Sequence, residues 1–334
     1  MSERHFFIRA LGCEGEHSFS ESNFSGLGRR ITTSDYPAEL TEKIVLRLSE
    51  RARSEGLTTE IFHDFLTNRA EGIIIPEKEA VFFNTPLYHG NDKSFLSLSK
   101  VLEECKVMLG QAADFFRDAK KIHDDWEKIY VSRMDFKAAD ALTDRLSDKI
   151  FDAEGAHGDG RRTDRFLGAA TADGAVDYIM NLTSDVVKRY FIKGRPGTGK
   201  STLLKKIAKR AMGLGFDIEA YHCAFDPNSL DMLIIRELDV CLFDSTAPHE
   251  YSPCLPPDEI VDIYVAAVLP DTDNEFKREL ADISAAYKIE MANAGDCLKS
   301  AKSLYGLSQR SVCNFVGMYS EERVIGDIEA EMLR

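Results

Sequence analysis

The chain has 334 residues, more than one hydrophobic core usually organises, so two domains are expected. The formal net charge of -14 disfavours nucleic acid as a partner, because an acidic surface repels phosphate backbones. No apolar run is long enough to span a membrane, and the N-terminal residues lack a signal-peptide pattern. The seven cysteines form no CxxC pair. We therefore expect free thiols in a reducing compartment, and a cytoplasmic protein without a membrane partner.

The first part of the chain reads as a degenerate copy of the second. Residues 35–63 align with residues 194–222 without a gap, and one inserted residue extends the match as far as His89 and His249. Apolar residues of one predicted helix recur at the aligned positions of the other. The sequence therefore predicts two homologous α/β halves in tandem.

The two halves differ at the residues that would bind phosphate. GRPGTGKS at 194–201 is matched by DYPAELTE at 35–42, which has no glycine and has threonine in place of the lysine. Asn84 stands where the second half has Asp244. The acidic residues of the first segment would repel a triphosphate. We predict that the N-terminal half keeps its strands and helix but binds no ATP.

A long stretch with amphipathic helical spacing follows each half, at 95–151 and at 275–334. We predict a helical hairpin behind each half that covers its sheet, and a role in pairing is the alternative. GAHGDG at 155–160 has the composition of a linker. The predicted domains are therefore a degenerate P-loop-like half at 1–154 and an active P-loop half at 161–334.

Residues 194–201 fit the motif G-x-x-x-x-G-K-[ST] in full. The strand-like run RYFI precedes it, and apolar residues at helical spacing follow it. In that context glycines turn backbone N–H groups toward phosphate oxygens, and the helix dipole adds a favourable potential. The alternative is a glycine-rich turn that matches by chance. The predicted phosphate-binding residues are Gly194, Arg195, Gly197, Thr198, Gly199, Lys200, Ser201 and Thr202, with Lys200 also counted as catalytic.

A buried strand predicted at 240–243 ends at Asp244. An aspartate in that position orients Mg²⁺ in P-loop proteins, so Ser201 and Asp244 are the predicted metal ligands. The alternative is an aspartate that only caps a turn. Since no N-K-x-D motif supports guanine, ATP with Mg²⁺ is the expected ligand. No glutamate follows Asp244, so either the water-activating base comes from elsewhere or hydrolysis is slow.

Two further residues are candidates for catalysis. A second strand is predicted at 218–223, and residues 226–231 are predicted as a turn and the start of a short helix. Asp226 and His249 then lie near the carboxyl edge of the sheet, where open α/β sheets bind ligands. We predict that they handle the attacking water or an acceptor. The alternative is that each only caps its loop.

The segments IKGRPGTGKSTLLKKIAKRA, YHCAFDPNSLD and LFDSTAPH resemble a family of bacterial ATPases with two tandem P-loop halves. The resemblance implies a P-loop NTPase fold, with αβα layers and a mostly parallel sheet. It also implies that both halves carry a phosphate loop, a Cys-Ser-Ser-Asp-Pro-like turn and an Asp-Gly-Thr-Ala-Pro-His-like segment. The chain departs from that pattern at Ala224, Phe225 and Ser245, and in lacking a phosphate loop in its first half.

The sequence leaves three functions open. The first is ATP hydrolysis in the C-terminal half, with the other half as a scaffold or as donor of a cation from Arg161, Arg162 or Arg165. For these arginines the alternative is a solvated basic patch. The second is a small-molecule kinase with Asp226 as acceptor base. The third is a nucleotide-gated interaction protein with little turnover, recognised by a protein partner or by a second copy of the chain.

Overall fold

The computed structural model describes residues 2–34, 36–89, 96–151, 159–316 and 321–334. Asp35 and residues 155–158 of the predicted linker lie outside the described residues. The elements of the first half are β1 (Glu3–Phe6), β2 (Arg9–Gly12), β3 (Gly15–Ser18), α1 (Ser20–Phe24), β4 (Arg29–Thr33), α2 (Ala38–Ser54), β5 (Thr59–His63), β6 (Ala70–Ile75), β7 (Ala80–Asn84), α3 (Leu96–Val131) and α4 (Phe136–Ile150).

The elements of the second half follow the same order, and its main sheet has six strands where that of the first half has five. They are β8 (Arg162–Phe166), β9 (Gly168–Thr171), β10 (Gly174–Asp177), α5 (Ile179–Leu182), β11 (Lys188–Lys193), α6 (Lys200–Gly213), β12 (Ile218–His222), β13 (Leu230–Ile235), β14 (Val240–Asp244), β15 (Glu259–Asp262), α7 (Ile263–Ala267), α8 (Thr272–Glu275), α9 (Lys277–Val316) and α10 (Glu321–Met332). Among the described helices, none is long and apolar enough to cross a bilayer.

The chain forms two mixed sheets of mostly parallel strands, which confirms the predicted α/β class. The first sheet has the order β1-β5-β6-β7-β4, and the second has the order β15-β11-β14-β13-β12-β8. Among the described strands of these two sheets, only β6 and β13 run against their neighbours. The helix start predicted within 226–231 is wrong. Strand β13 begins at Leu230, because the apolar run that follows is buried as a returning strand beside β12.

The two sheets correspond strand by strand. The pairing of β5 with β6 shifts register between Phe62 and His63, and the pairing of β12 with β13 shifts between Tyr221 and His222. The two shifts lie at aligned positions, directly before the point at which the sequence comparison needs an inserted residue. The correspondence extends to the hairpins β2–β3 and β9–β10, which the sequence comparison did not include.

Each sheet has one face covered by helices and the other face turned toward the opposite sheet. The outer face of the first sheet packs against α2 and α10, and that of the second packs against α6 and α4. The inner faces share one core, in which Phe62 and Val81 of the first sheet join Tyr221 and Phe243 of the second. Helices and sheets therefore lie in layers, compatible with the predicted αβα arrangement.

The two longest helices pair with each other. Cys105 Sγ of α3 lies 3.4 Å from the carbonyl oxygen of Ala301 of α9. Further along, the ring centroids of His123 of α3 and Tyr287 of α9 are 6.0 Å apart. Position numbers rise along one helix as they fall along the other, so the pair is antiparallel. The pair also packs on the two hairpins in one buried cluster. The predicted alternative, a pairing role, is thus correct for these helices.

The predicted hairpin within each half is wrong, because the shorter helices are exchanged. Helix α4 packs on α6 of the second half, where Asp148 Oδ1 lies 2.6 Å from Arg210 Nη1. Helix α10 packs on α2 of the first half, and Ile328 and Met332 enter its core. Amphipathic spacing specifies that a helix has an apolar face but not which element covers that face.

A buried ionic network joins the two halves. Arg165 of β8 is 5% exposed and donates to Glu60 of β5 at 2.5 and 3.2 Å. Glu219 of β12 accepts from Arg236 at 2.7 Å, and Arg4 of β1 lies within 3.9 Å of both carboxylates. Because these charges are removed from water, each depends on its partner.

In the described part of the chain, none of the three candidate arginines contacts the loop at 194–199, so that prediction is corrected. Arg161 is exposed and pairs with Asp217 at 3.2 Å, and Arg162 pairs with Asp164 at 2.7 Å. Arg165 is committed to the network between the halves. Arg165 lies near the linker in sequence, but in the structure it is a residue of the edge strand β8 that faces the neighbouring half.

Candidate functional site

The segment 194–199 forms a tight loop between β11 and the first turn of α6. Gly197 has φ +75° and Gly199 has φ +88°, which is a conformation that side chains disfavour. A Cβ atom at Gly194 would lie 2.4 Å from Thr198 Oγ1, so that position also requires glycine. The backbone thus needs the glycines that the motif supplies.

The loop offers donors for an anion. Within the described residues, the backbone N–H groups of Gly197, Gly199, Lys200 and Ser201 find no acceptor. They lie at the N-terminus of α6, where the helix dipole favours negative charge. A phosphate group fits this arrangement because it would accept from several of these N–H groups at once.

Lys200 lies among the oxygen atoms of the loop and of the neighbouring strand. Its Nζ is 3.1 Å from the Arg195 carbonyl oxygen and 3.5 Å from Asp244 Oδ2. Asp244 ends β14, which is parallel to β11 and adjacent to it, and its Oδ1 accepts from Thr246. The predicted cation and the predicted metal-binding carboxylate are therefore brought together.

Ser201 and Asp244 could hold Mg²⁺, since hydroxyl and carboxylate oxygens are its preferred protein ligands. Ser201 lies in the first turn of α6, and its Oγ accepts from the N–H of Leu230 at 2.9 Å. The donor set fits the ion chemically. Helix α3 brings together a second set of ligand atoms, one each from His123, Asp124 and Glu127, all within 4.8 Å of one another.

Three predicted loop residues have surroundings of different kinds. Arg195 turns outward, where its Nη2 lies 2.7 Å from Asp273 Oδ2. Thr198 is buried, and its hydroxyl donates to the Arg195 carbonyl oxygen at 2.8 Å, which holds the turn. The side chain of Thr202 is exposed on α6. Thr198 therefore shapes the loop, while Arg195 and Thr202 point away from its centre.

His249 is fixed by the hairpin of the same half. Its Nδ1 lies 2.9 Å from Asp177 Oδ2, and the Tyr251 hydroxyl donates to Asp177 Oδ1 at 2.8 Å. Burial opposes protonation of His249. The hydrogen bond to Asp177 and the charges of Asp231 and Asp244 outweigh burial and raise its pKa. His249 can therefore carry a positive charge beside the acidic end of β14.

The sequence analysis did not identify Asp231 as a site residue. Burial raises the pKa of Asp231 to about 6, and the Asp244 carboxylate adds to the effect. The sequence did mark Asp231 as unusual, because it is the one polar residue of the otherwise apolar run LDMLII at 230–235. The first half has Glu71 at the same place in β6. If strands had been predicted at 230–235 and 70–75, Asp231 and Glu71 would have been placed at corresponding positions of the two sheets.

Helix α3 lies across the site and contributes residues that motif analysis missed. The Lys120 ammonium is 3.6 Å from Asp226 Oδ2, while Asp226 Oδ1 accepts from the Asn228 N–H at 3.0 Å. Two turns further along α3, the backbone of Glu127 lies against Gly197: a Cβ on Gly197 would come within 2.7 Å of the Glu127 carbonyl oxygen. The site is thus bounded by a helix that belongs to the first half in sequence.

Replacing Gly197 by alanine should lower the free energy of unfolding by about 1–3 kcal/mol. The added methyl group would meet the Glu127 backbone, and φ +75° is itself unfavourable for alanine. Urea denaturation of the variant measures the loss. Gly213→Ala in the last turn of α6 is the control, since a Cβ there meets nothing within 4 Å. Equal stability of Gly197→Ala and wild type would contradict the close approach of α3.

Comparison of the chain with family models, with curated proteins and with solved structures finds no significant match.

Proposed function

We propose that the C-terminal half binds ATP with Mg²⁺ at residues 194–201 and hydrolyses it. The observation that carries the proposal is the loop itself, in which free N–H groups at a helix N-terminus lie beside the Lys200 ammonium. The complete sequence motif and its position between a strand and a helix support it. The absence of an N-K-x-D motif favours ATP over GTP.

In this proposal the loop backbone and Lys200 bind the β- and γ-phosphates of ATP. Ser201 and Asp244 would hold Mg²⁺, which when bound neutralises charge on the phosphate oxygens. Asp226 and His249 then border the site, each held by a partner of opposite charge in Lys120 and Asp177. The proposal gives both residues an electrostatic role: Lys120 engages the Asp226 carboxylate, and Asp177 favours the charged form of His249.

We further propose that the halves arose by duplication and that the first half is an inactive copy. The strand-by-strand correspondence of the sheets supports the duplication. In the first half α2 begins directly after Pro37, and the Thr41 hydroxyl donates back to the Pro37 carbonyl oxygen. Asn84, opposite Asp244 in the alignment, accepts from Thr33 at 2.7 Å. These contacts leave neither a glycine loop nor a carboxylate for a nucleotide.

The decisive experiment compares wild type with Lys200→Ala for ATP binding and for phosphate release, with Mg²⁺ and without an added acceptor. We expect wild type to bind and turn over ATP, and the variant to lose turnover by about 100-fold or more, since it lacks the cation at the transferred phosphate. Lys209→Ala, an exposed change on the same helix, is the control and should behave as wild type.

Each other outcome has a distinct meaning. Failure of the wild type to bind ATP would refute the proposal. Binding without turnover would favour the nucleotide-gated interaction protein. Turnover that appears only when small hydroxylic acceptors are added would favour the kinase, with Asp226 as its base.

A further inference from the structure

We propose that Glu127 of α3 is the general base for the hydrolysis reaction, supplied to the phosphate loop from the segment that follows the first sheet. The inference rests on the function proposed above. It gives the helix that crosses the site a chemical role, and it identifies a base that the loop's own half does not provide.

The position of Glu127 follows from how α3 packs on the loop. The carbonyl oxygen and Cα of Glu127 would lie 2.7 and 2.9 Å from a Cβ on Gly197, and its own Cβ would lie 3.0 Å away. The side chain of Glu127 therefore starts in contact with the phosphate loop. Helix α3 is held there by α9 along its length and by the approach of Lys120 to Asp226 at 3.6 Å.

The other carboxylates of the site have competing partners. Asp244 interacts with Lys200 at 3.5 Å and accepts from Thr246. Asp226 is held by Lys120 and by the Asn228 N–H. Asp231 forms a hydrogen bond with the Cys223 thiol. None of the three is free to take a proton from water while keeping its present contacts.

The residue after Asp244 cannot serve either. P-loop ATPases with fast turnover commonly have glutamate there, whereas this chain has Ser245, which is fully buried. Its hydroxyl donates to the Tyr251 carbonyl oxygen at 2.8 Å. With Ser245 excluded and His249 given an electrostatic role, the base is supplied by another element, α3, which is in contact with the loop.

The surroundings of Glu127 suit proton transfer. Its side chain is 39% exposed, so water has access, and His123 Nδ1 lies 3.6 Å from its Oε1. Burial, Asp124 and Asp226 raise the pKa of Glu127, while Lys120 and Lys200 oppose that rise. A carboxylate that water can reach, on a helix in contact with the loop, is placed to take a proton from a water bound there.

Hydrolysis forms one bond at the γ-phosphorus and breaks another. The water oxygen attacks the γ-phosphorus, and the bond from that phosphorus to the oxygen bridging the β- and γ-phosphates breaks. The electron pair of the broken bond leaves with ADP. The proton of the attacking water passes to the Glu127 carboxylate and then to bulk water, which restores the base.

Glu127→Gln tests the assignment, because glutamine keeps the size of the side chain and the backbone contact with Gly197. We expect ATP affinity within about threefold of wild type, with and without Mg²⁺, and turnover lower by about 100-fold or more. Protein isolated rapidly after mixing should hold intact ATP. Asp125→Asn, beside it on α3 and paired with Lys128, is the control.

The outcomes separate this inference from the proposed function. Unchanged turnover of Glu127→Gln would overturn the base and leave the ATPase standing. A loss of ATP affinity equal to the loss of turnover would assign Glu127 to binding and also overturn the base. A wild type without turnover, compared with Lys200→Ala, would refute both together.

Discussion

Replacing Arg165 by leucine should lower the free energy of unfolding by about 3–5 kcal/mol, the cost of leaving a buried carboxylate without its partner. Arg165 donates to Glu60 from two nitrogens and to Asn23 at 2.8 Å, and its guanidinium lies 4.1 Å from the centre of the Phe6 ring. Among the described residues, the one ion-pair partner left to Glu60 would be Arg4, at 3.5 Å. Urea denaturation at neutral pH measures the change.

Two controls make this result specific. Arg161→Leu removes an exposed arginine from the same segment and should change stability by less than about 0.5 kcal/mol. The double variant Arg165→Leu/Glu60→Leu removes both charges and should recover much of the loss, because no buried carboxylate is left unpaired. A double variant as unstable as Arg165→Leu would show that packing, and not charge, explains the effect.

Glu219 should make the protein acid-labile. Burial opposes its ionisation, but the hydrogen bonds and charges of Arg236, Arg165 and Arg4 lower its pKa from 4.5 to about 2. Between these values the unfolded chain binds the proton more tightly than the folded chain does. The contribution of Glu219 to the free energy of unfolding is therefore complete above pH 4.5 and is lost as the pH falls toward 2. Its full size is about 3 kcal/mol.

Glu219→Gln should remove this dependence and lower stability at neutral pH by a similar amount, since Arg236 loses its charged partner. Unfolding free energies of wild type and variant, measured from about pH 6 to about pH 2, test it. Glu322→Gln, exposed on α10, is the control and should follow the wild-type curve. Parallel curves for wild type and Glu219→Gln would assign the acid lability to other carboxylates.

The loop at 194–199 and its flanking elements were predictable because their signals are local. The glycines at 197 and 199 specify the loop conformation, the apolar spacing after Lys200 specifies α6, and a short apolar run ends at Asp244. The similarity between the two parts of the chain was also visible in the sequence, and the two sheets have register shifts at matching positions directly before the alignment gap.

Features that depend on distant packing were not predictable. Strand β13 was read as a helix start, since a short apolar run fits either structure. The exchange of α4 and α10 was missed because an amphipathic pattern does not identify a partner. Glu127 lies in no motif, and only the path of α3 over Gly197 brings it to the loop.

The exchange of α4 and α10 has a consequence for the order of events during synthesis. The outer face of the first sheet is covered by α2 together with Ile328 and Met332 of α10, which the ribosome makes after the whole second sheet. The earliest part of the chain therefore cannot complete its core first, although domains usually fold in order of synthesis. We expect the two sheets to become stable together, as one cooperative unit, late in translation.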